Sequence, residues 1–326
     1  MRAYIIRRLL LIIPTLFLVS ILVFFVTRLI PGDIVDQMAQ QRVYMTESTR
    51  WAIEHQLGLD VPIPVQYGRW VGVVPQADGS FSGLFQGDLG NSLWTQTPVT
   101  EEILSRLPVT VELGILAMLI LLIISLPIGV YSAIRQDSVG DYAGRSLATV
   151  LIALPNFWVG IMVVIFGSLW FGLSPPLRPV PFFEDPIGNL GQFIVPAIVL
   201  GMAGAGTTVR MTRSMMLEVL RQDYVRTAWA KGLKEGVVIT RHVLKNALIP
   251  VVTLLGSMLR FTIGGAVIIE KIFGLPGMGR LLVDATTARD YTLITGMVLI
   301  FACFVILVNL AIDLTYNYLD PRVRYK

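Results

Sequence analysis

The residue types that most often do chemistry are few in this chain and poorly spaced for it. It has two histidines, His55 and His242, far apart in sequence, and one cysteine, Cys303, inside an apolar run. One cysteine rules out an intrachain disulfide and a cysteine metal site, and two distant histidines make a catalytic metal centre a poor expectation. The patterns GxxxxGK[ST], HExxH and GxSxG do not occur. A phosphate-cradling loop, a helical zinc pair and a serine nucleophile elbow therefore have no residues to build them. No paired Ser/Lys, Asp/Asp or His cluster falls within the apolar runs, which argues against an intramembrane enzyme. The sequence shows no equipment of its own for hydrolysing ATP or a peptide bond.

What remains is chemistry of contact. Residues 223–235, "DYVRTAWAKGLKE", are charged and rich in small side chains, yet lie between two apolar runs. Asp223 suits an N-cap and Gly232 a helix stop, leaving a helix of about eight residues. Lys231 near its end suits the helix dipole. Thr227, Ala228 and Ala230 are small enough to let another protein approach the backbone, while Tyr224, Val225 and Trp229 offer apolar anchors. So short a helix is marginal alone and must pack against its own chain or a partner. On these residues alone, a solvated connector is an equal reading. The second feature is Arg260, in mid-run within "GSMLRFTIGG". An unpaired charge at mid-bilayer costs at least ~2.5–3.5 kcal/mol on insertion scales. Arg260 is therefore expected to face water or a partner. It either lines a pathway and attracts an anionic group such as a peptide carboxylate, or belongs to an internal pair.

The elements that must position these groups are apolar. The chain has 326 residues, 54% hydrophobic and 15% charged, where a soluble domain carries about 25% charged residues. A bilayer core ~30 Å thick needs about 20 apolar residues as helix. Six runs qualify: 9–26, 113–133, 147–172, 193–209, 247–269 and 293–312. The fourth is short and glycine-rich. The front, "MRAYIIRRLL", resembles a signal peptide, but the run continues into "RLIPGD" without a small-residue cleavage site, so it is taken as an uncleaved first span. Pro155 and Asn156 interrupt the third span, and Pro155 is expected to kink it. Ala197, Gly201 and Ala205 form a small-residue stripe that permits close helix contact, within this chain or with another. Asn309 and Asp313 lie four apart near the inner end of the last span and can interact. These two and Glu112 are taken as interface-level groups. No buried chain of titratable residues of the kind a proton-driven carrier needs is present.

Charge sets the orientation. Residues 210–246 carry eight Lys/Arg, and the tail "DPRVRYK" three more. Segment 31–108 carries four Lys/Arg against nine Asp/Glu. By the positive-inside rule both termini are cytoplasmic and 31–108 is outside. That outer segment, broken by glycines and prolines, suits a lid or a docking surface better than an enzyme domain. The modest net charge of +4, with basic residues beside apolar runs, does not point to nucleic acid.

The stretch "YVRTAWAKGLKEGVVITRHVLKNALIP" resembles the EAA-type loop of bacterial ABC importer permeases. More narrowly, the chain resembles the B-type membrane subunit of dipeptide and oligopeptide importers. "RRLLLIIPTL", "IPGD", "GDLGNS", "ILSRLPVTVELG", "VRMTRSMMLEVL", "EKIFGLPGMGRLLVDATTARDY" and "DPRVRYK" fall in that family's order over essentially the full length. The resemblance implies an all-α, polytopic fold of the type I ABC importer permease class with six transmembrane helices. Its parts would be a tail and first span over 1–30, a periplasmic segment over 31–108, and a core permease domain over 109–326 containing the loop 210–246. It implies a multi-pass protein of the bacterial inner membrane that forms half of a pathway for di- or oligopeptides. It also implies a non-catalytic role, with ATP and Mg held only by partner subunits. The implied partners are a homologous C-type permease in a heterodimer, two cytoplasmic ATPases, a periplasmic or lipid-anchored substrate-binding protein, and membrane lipid.

The same resemblance gives the short helix the role of a coupling helix docked on an ATPase, through Asp223, Tyr224, Val225, Arg226, Thr227, Ala228, Ala230, Lys231, Gly232 and Leu233. Arg226, Thr227 and Ala228 stand at the loop's name-giving Glu-Ala-Ala, and Gly232 at its characteristic glycine. Arg226 cannot close a capping box with Asp223, although it can pair with it or with an ATPase carboxylate. Lys245 replaces a frequent proline, so a softer bend is expected there. Trp229 is bulkier than the family's residue, and Arg260 replaces a small or polar one. Related systems also carry glutathione, nickel complexes or short oligosaccharides. A stand-alone secondary transporter or channel accounts for the spans but not for the order of the motifs.

Overall fold

The computed structural model describes residues 2–29, 35, 47–56, 58–172 and 179–319. The motifs "IPGD" and "DPRVRYK" and the side chains of residues 2–9 and Asp313 lie outside what is described, so the Asn309–Asp313 expectation does too. The elements are α1 (Arg2–Arg28), α2 (Glu47–Gln56), α3 (Ile63–Val71), α4 (Val99–Ile134), α5 (Val139–Ala153), α6 (Asn156–Phe171), α7 (Pro186–Leu220), α8 (Asp223–Ala230), α9 (Lys245–Phe273), α10 (Met278–Ala288) and α11 (Tyr291–Leu319). A 3-10 turn covers Leu84–Gln86, and a π-helical stretch, Val238–Leu244, leads into α9.

Among the described residues, five helices contain runs long and apolar enough to cross a membrane: Leu10–Arg28, Val99–Ile134, Pro186–Leu220, Glu235–Arg260 and Tyr291–Ile312. A sixth span is reached only by counting the bent pair α5 and α6 as one. α5 and α6 meet at 91°, so the single kinked helix expected over 147–172 is instead two helices. The cause is local. A residue before proline is pushed out of the α region, and Leu154 is extended at φ −84, ψ 121. Pro155 has no N–H to continue the ladder. The Asn156 side-chain oxygen then accepts the Phe157 N–H at 2.9 Å, supplying one partner at the new N-terminus.

The chain forms two compact units, one of residues 1–108 with 280–307, the other of 109–279 with 308–326. In the second, α7 packs along α9 and α5. The fourth span is much longer than the short run expected. α7 has 35 residues and is N-capped by Asp185, which accepts the Gly188 N–H at 3.0 Å. Ala197 and Ala205 are buried, and a Cβ on Gly201 would lie 2.6 Å from the Ala117 carbonyl oxygen on α4. The small-residue stripe thus serves close contact within this chain. Leu113, Ala117, Phe193, Leu200, Ile269 and Leu275 fill the core around it.

In the first unit the C-terminal half of α1 packs on α3. The Phe24 ring lies 5.3 Å from Tyr67 and 5.8 Å from Trp70, and the Ser20 and Tyr67 hydroxyls are 2.9 Å apart. Asp290, almost fully buried, accepts from the Ser92 hydroxyl at 2.6 Å, the Leu93 N–H at 3.0 Å and, as N-cap of α11, the Leu293 N–H at 3.1 Å. The Trp94 indole N–H donates to the Ala288 carbonyl at 2.6 Å. The end of the motif "GDLGNS" is therefore pinned to the start of α11 by one carboxylate, and Trp94 just after it to the end of α10 by its indole.

Candidate functional site

α8 has eight residues, and its two faces do different work. Val225 and Ala228, three apart and so on one face, are 0% and 5% exposed. They pack with Ala133 of α4, Met216 of α7, Val238 and Val243 of the π-helical stretch, and Ala247 of α9. Full burial of a valine side chain stabilises by about 1.5–3 kcal/mol, which a helix this short lacks by itself. The opposite face leaves Tyr224, Arg226, Thr227, Trp229, Ala230 and Lys231 exposed, Tyr224 by 43% and Trp229 by 41%.

Three sequence expectations are corrected here. Ala228 does not offer its small side chain to a partner; it faces this chain's own core. Val225 likewise anchors inward. Asp223 is not the N-cap but the first helical residue, following Gln222 at φ −73, ψ 146. The first turn closes on the Gln222 carbonyl, which accepts from the Val225 and Arg226 N–H groups at 3.0 and 3.2 Å. Asp223 in the first turn still suits the helix dipole. Its carboxylate is 3.6 Å from the Arg226 guanidinium, and the high exposure of both leaves this pair little stabilising force.

The ends of α8 are fixed. Gly232 takes φ +75, its N–H donates to the Trp229 carbonyl at 2.9 Å, and the Leu233 N–H reaches the Ala228 carbonyl at 3.4 Å. This is a glycine-terminated helix end in which the left-handed residue satisfies the last carbonyls. The Tyr224 hydroxyl lies 3.4 Å from the His242 carbonyl oxygen and accepts from the Asn246 amide at 3.0 Å, tying α8 to the π-helical stretch and the start of α9. Lys245 begins α9 with no bend; the irregularity lies before it, as the π-helical turn.

Two buried carboxylates that the sequence did not single out stiffen this unit. Asp141, with no exposed side-chain surface, takes a bidentate pair from Arg213, Nε to Oδ1 and Nη2 to Oδ2 at 2.7 Å each. The Asp137 N–H adds a third donor at 3.0 Å. This joins the first turn of α5 to α7 just ahead of α8. Glu270 is also fully buried. Its carboxylate accepts the Thr110 hydroxyl at 2.6 Å, and the Thr110 oxygen in turn accepts the Met278 N–H at 2.8 Å. A side chain at Gly277 would collide with that carboxylate, which accounts for a glycine in "GLPGMG".

Arg260 is exposed on α9, and its Nη1 donates to the Asn309 Oδ1 at 2.8 Å. The charge is thus held by a neutral amide on α11. A separate cavity of about 280 Å³ lies among α4, α6, α7 and α9, with Asn156 and Thr262 as its polar lining beside Leu121, Leu200 and Met258. These two residues were missed in the sequence, where Asn156 counted only as a helix interruption.

Residues 1–114 match the model for the N-terminal region of binding-protein-dependent transport system membrane components, and residues 125–325 match the model described as binding-protein-dependent transport system inner membrane component. Across 100% of both chains, the sequence is 39% identical to the dipeptide transport system permease protein DppB of Escherichia coli strain K12. It is likewise 39% identical to the oligopeptide transport system permease protein AppB of Bacillus subtilis, and 40% identical to a putative peptide transport system permease protein of Brucella abortus. Among solved structures, an inward-facing MetNI methionine ABC transporter aligns at a TM-score of 0.55 and 16% identity, over 68% of this chain and 97% of that one. That likeness establishes the fold of an ABC transporter permease. With both family models and these full-length relatives in agreement, the chain belongs to the inner-membrane component family of binding-protein-dependent transport systems.

Proposed function

We propose that this chain is one permease half of an ATP-driven importer of di- or oligopeptides, and that α8 is where force enters it. The observation that carries the reading is the division of α8 into two faces. Its inward face is locked by Val225 and Ala228 onto residues of α4, α7 and α9, while Arg226, Thr227 and Trp229 are exposed away from it, and Tyr224 is exposed with its hydroxyl bonded to Asn246. A short rigid element seated on three membrane helices transmits a push as rigid-body movement, which a loose loop does not. The full-length relatives named for peptide, dipeptide and oligopeptide transport supply the substrate class.

On this reading the termini and α8 are cytoplasmic and the chain catalyses nothing. Two ATPase subunits hold ATP and Mg and receive the free face of α8 with Lys231, Gly232 and Leu233. A homologous C-type permease completes the pathway, and a substrate-binding protein docks outside. Arg260, exposed and held by Asn309, faces that pathway. The test is reconstitution. In liposomes the chain alone accumulates no dipeptide. Added partner permease, ATPases and binding protein restore ATP-dependent uptake. Accumulation by the isolated chain refutes the reading.

A further inference from the structure

The first unit contains a cleft of about 480 Å³ that the coupling reading does not use. Its lining includes Arg28 at the end of α1, Gln66, Arg69 and Trp70 of α3, and Asp78 and Asp88 from the loops that follow. Four of these six residues bring a buried polar atom that lacks a hydrogen-bond partner: Arg28 Nε, Gln66 Oε1, Arg69 Nε and Trp70 Nε1. Buried polar groups are almost always paired, and each unpaired one is costly. Trp70 is only 9% exposed, so its orphan indole N–H has no access to bulk water. The cleft itself is lined by two arginines and two exposed aspartates.

The chemistry of the lining selects the ligand. Two guanidiniums present planar donors suited to a carboxylate. Arg28 is held in place by the rings of Phe24 and Tyr291, 5.1 and 4.9 Å from its guanidinium carbon. The two carboxylates balance the two cations and disfavour a polyanion. Their positions are set by their own turns: Asp78 accepts from the Ser80 N–H and hydroxyl, and Asp88 from the Gly90 N–H and the Ser82 hydroxyl. A cleft with both signs, amide groups and an aromatic wall matches a small zwitterion with a peptide bond, and the volume falls in the range of small-molecule sites.

We propose that this cleft is a recognition site for a short zwitterionic peptide on the first unit of the permease itself, with Arg28 and Arg69 taking the carboxylate and Asp78 and Asp88 facing the ammonium. The identity of the ligand rests on the peptide-importer reading; the existence of the site does not. The test uses the full chain in phosphatidylcholine nanodiscs, titrated calorimetrically with alanyl-alanine, its C-terminal amide and inorganic phosphate. The dipeptide binds saturably. Both the amide and the Arg69→Gln variant weaken binding by roughly ten- to hundredfold, the scale of one charge-assisted hydrogen bond. Arg69→Gln weakens binding of the amide less than that of the acid, because the two changes share a contact, and Arg69→Lys, which keeps the charge, falls between. Equal binding of acid and amide overturns the proposal. So does phosphate competing as strongly as the dipeptide, or loss of dipeptide binding when phosphatidylglycerol replaces the neutral lipid, which would mark a lipid-headgroup site. Absence of dipeptide binding while the assembled importer still takes up alanyl-alanine overturns the cleft and leaves the importer reading standing. Absence of uptake of every peptide overturns the reading itself.

Discussion

Gly232→Val isolates the mechanical role of α8, because the structure separates its possible effects. Gly232 sits at φ +75, and a Cβ built on it meets no atom within 4 Å. The added Cβ therefore meets no atom, and the cost worked here is the backbone penalty of a left-handed conformation, roughly 1–2 kcal/mol for a residue with a side chain. That cost corresponds to a factor of about 5–30 in a local equilibrium. The end of α8 depends on this one residue, since the Gly232 and Leu233 N–H groups are what satisfy the Trp229 and Ala228 carbonyls. The core beneath, from Ala133 to Ala247, is untouched. The expected result is an importer that assembles and hydrolyses ATP, while peptide taken up per ATP falls several-fold. The assay is paired measurement of ATP hydrolysis and uptake in proteoliposomes. Gly79→Val is the control: Gly79 has φ +81 and the same open space, but lies in the first unit, in a turn closed on the Gln76 carbonyl. If Gly232→Val leaves the uptake-to-hydrolysis ratio at the wild-type value, or Gly79→Val lowers it equally, rigid termination of α8 is not how force enters the chain.

Two further outcomes follow from the buried and exposed arginines. Arg213→Gln strands the fully buried Asp141 carboxylate and should destabilise the protein by about 3 kcal/mol, the low end for breaking a buried pair, since Arg213 keeps some solvent contact. The thermal midpoint in detergent falls, and the double variant Asp141→Asn/Arg213→Gln recovers part of the loss; equal midpoints for wild type and Arg213→Gln refute this. Arg260→Ala removes one hydrogen bond to Asn309, a stability change within about 2 kcal/mol. Uptake of anionic peptides should fall relative to neutral ones, and an unchanged ratio removes Arg260 from the pathway.

What the sequence made legible divides by range. Properties that act over one helix length were readable. The apolar runs located the five long apolar helices but not the break after Ala153, and Gly232 marked the end of α8, because run length and a left-handed turn are local demands. The start of α8 was misread by one residue because Asp223 and Gln222 both satisfy local rules, and the choice between them is made by which carbonyl closes the first turn. The direction of Ala228 was unreadable for a stronger reason. A small residue on a helix fits a tight core and a docking face equally, and only the position of Met216 and Val243 decides between them. The same holds for the carboxylates. Arg213 and Asp141 lie 72 residues apart, Thr110 and Glu270 160, Ser92 and Asp290 198. No periodicity connects partners at such distances, so each acid reads as a surface charge until the fold closes on it. The residues that bring chemistry to this molecule are therefore those whose local environment looks unremarkable in sequence. Arg28 and Arg69 belong to this class: one ends a span and the other sits on a short surface helix, and only the fold makes them share a cleft. A cleft assembled this way has no motif, because its lining comes from separate elements.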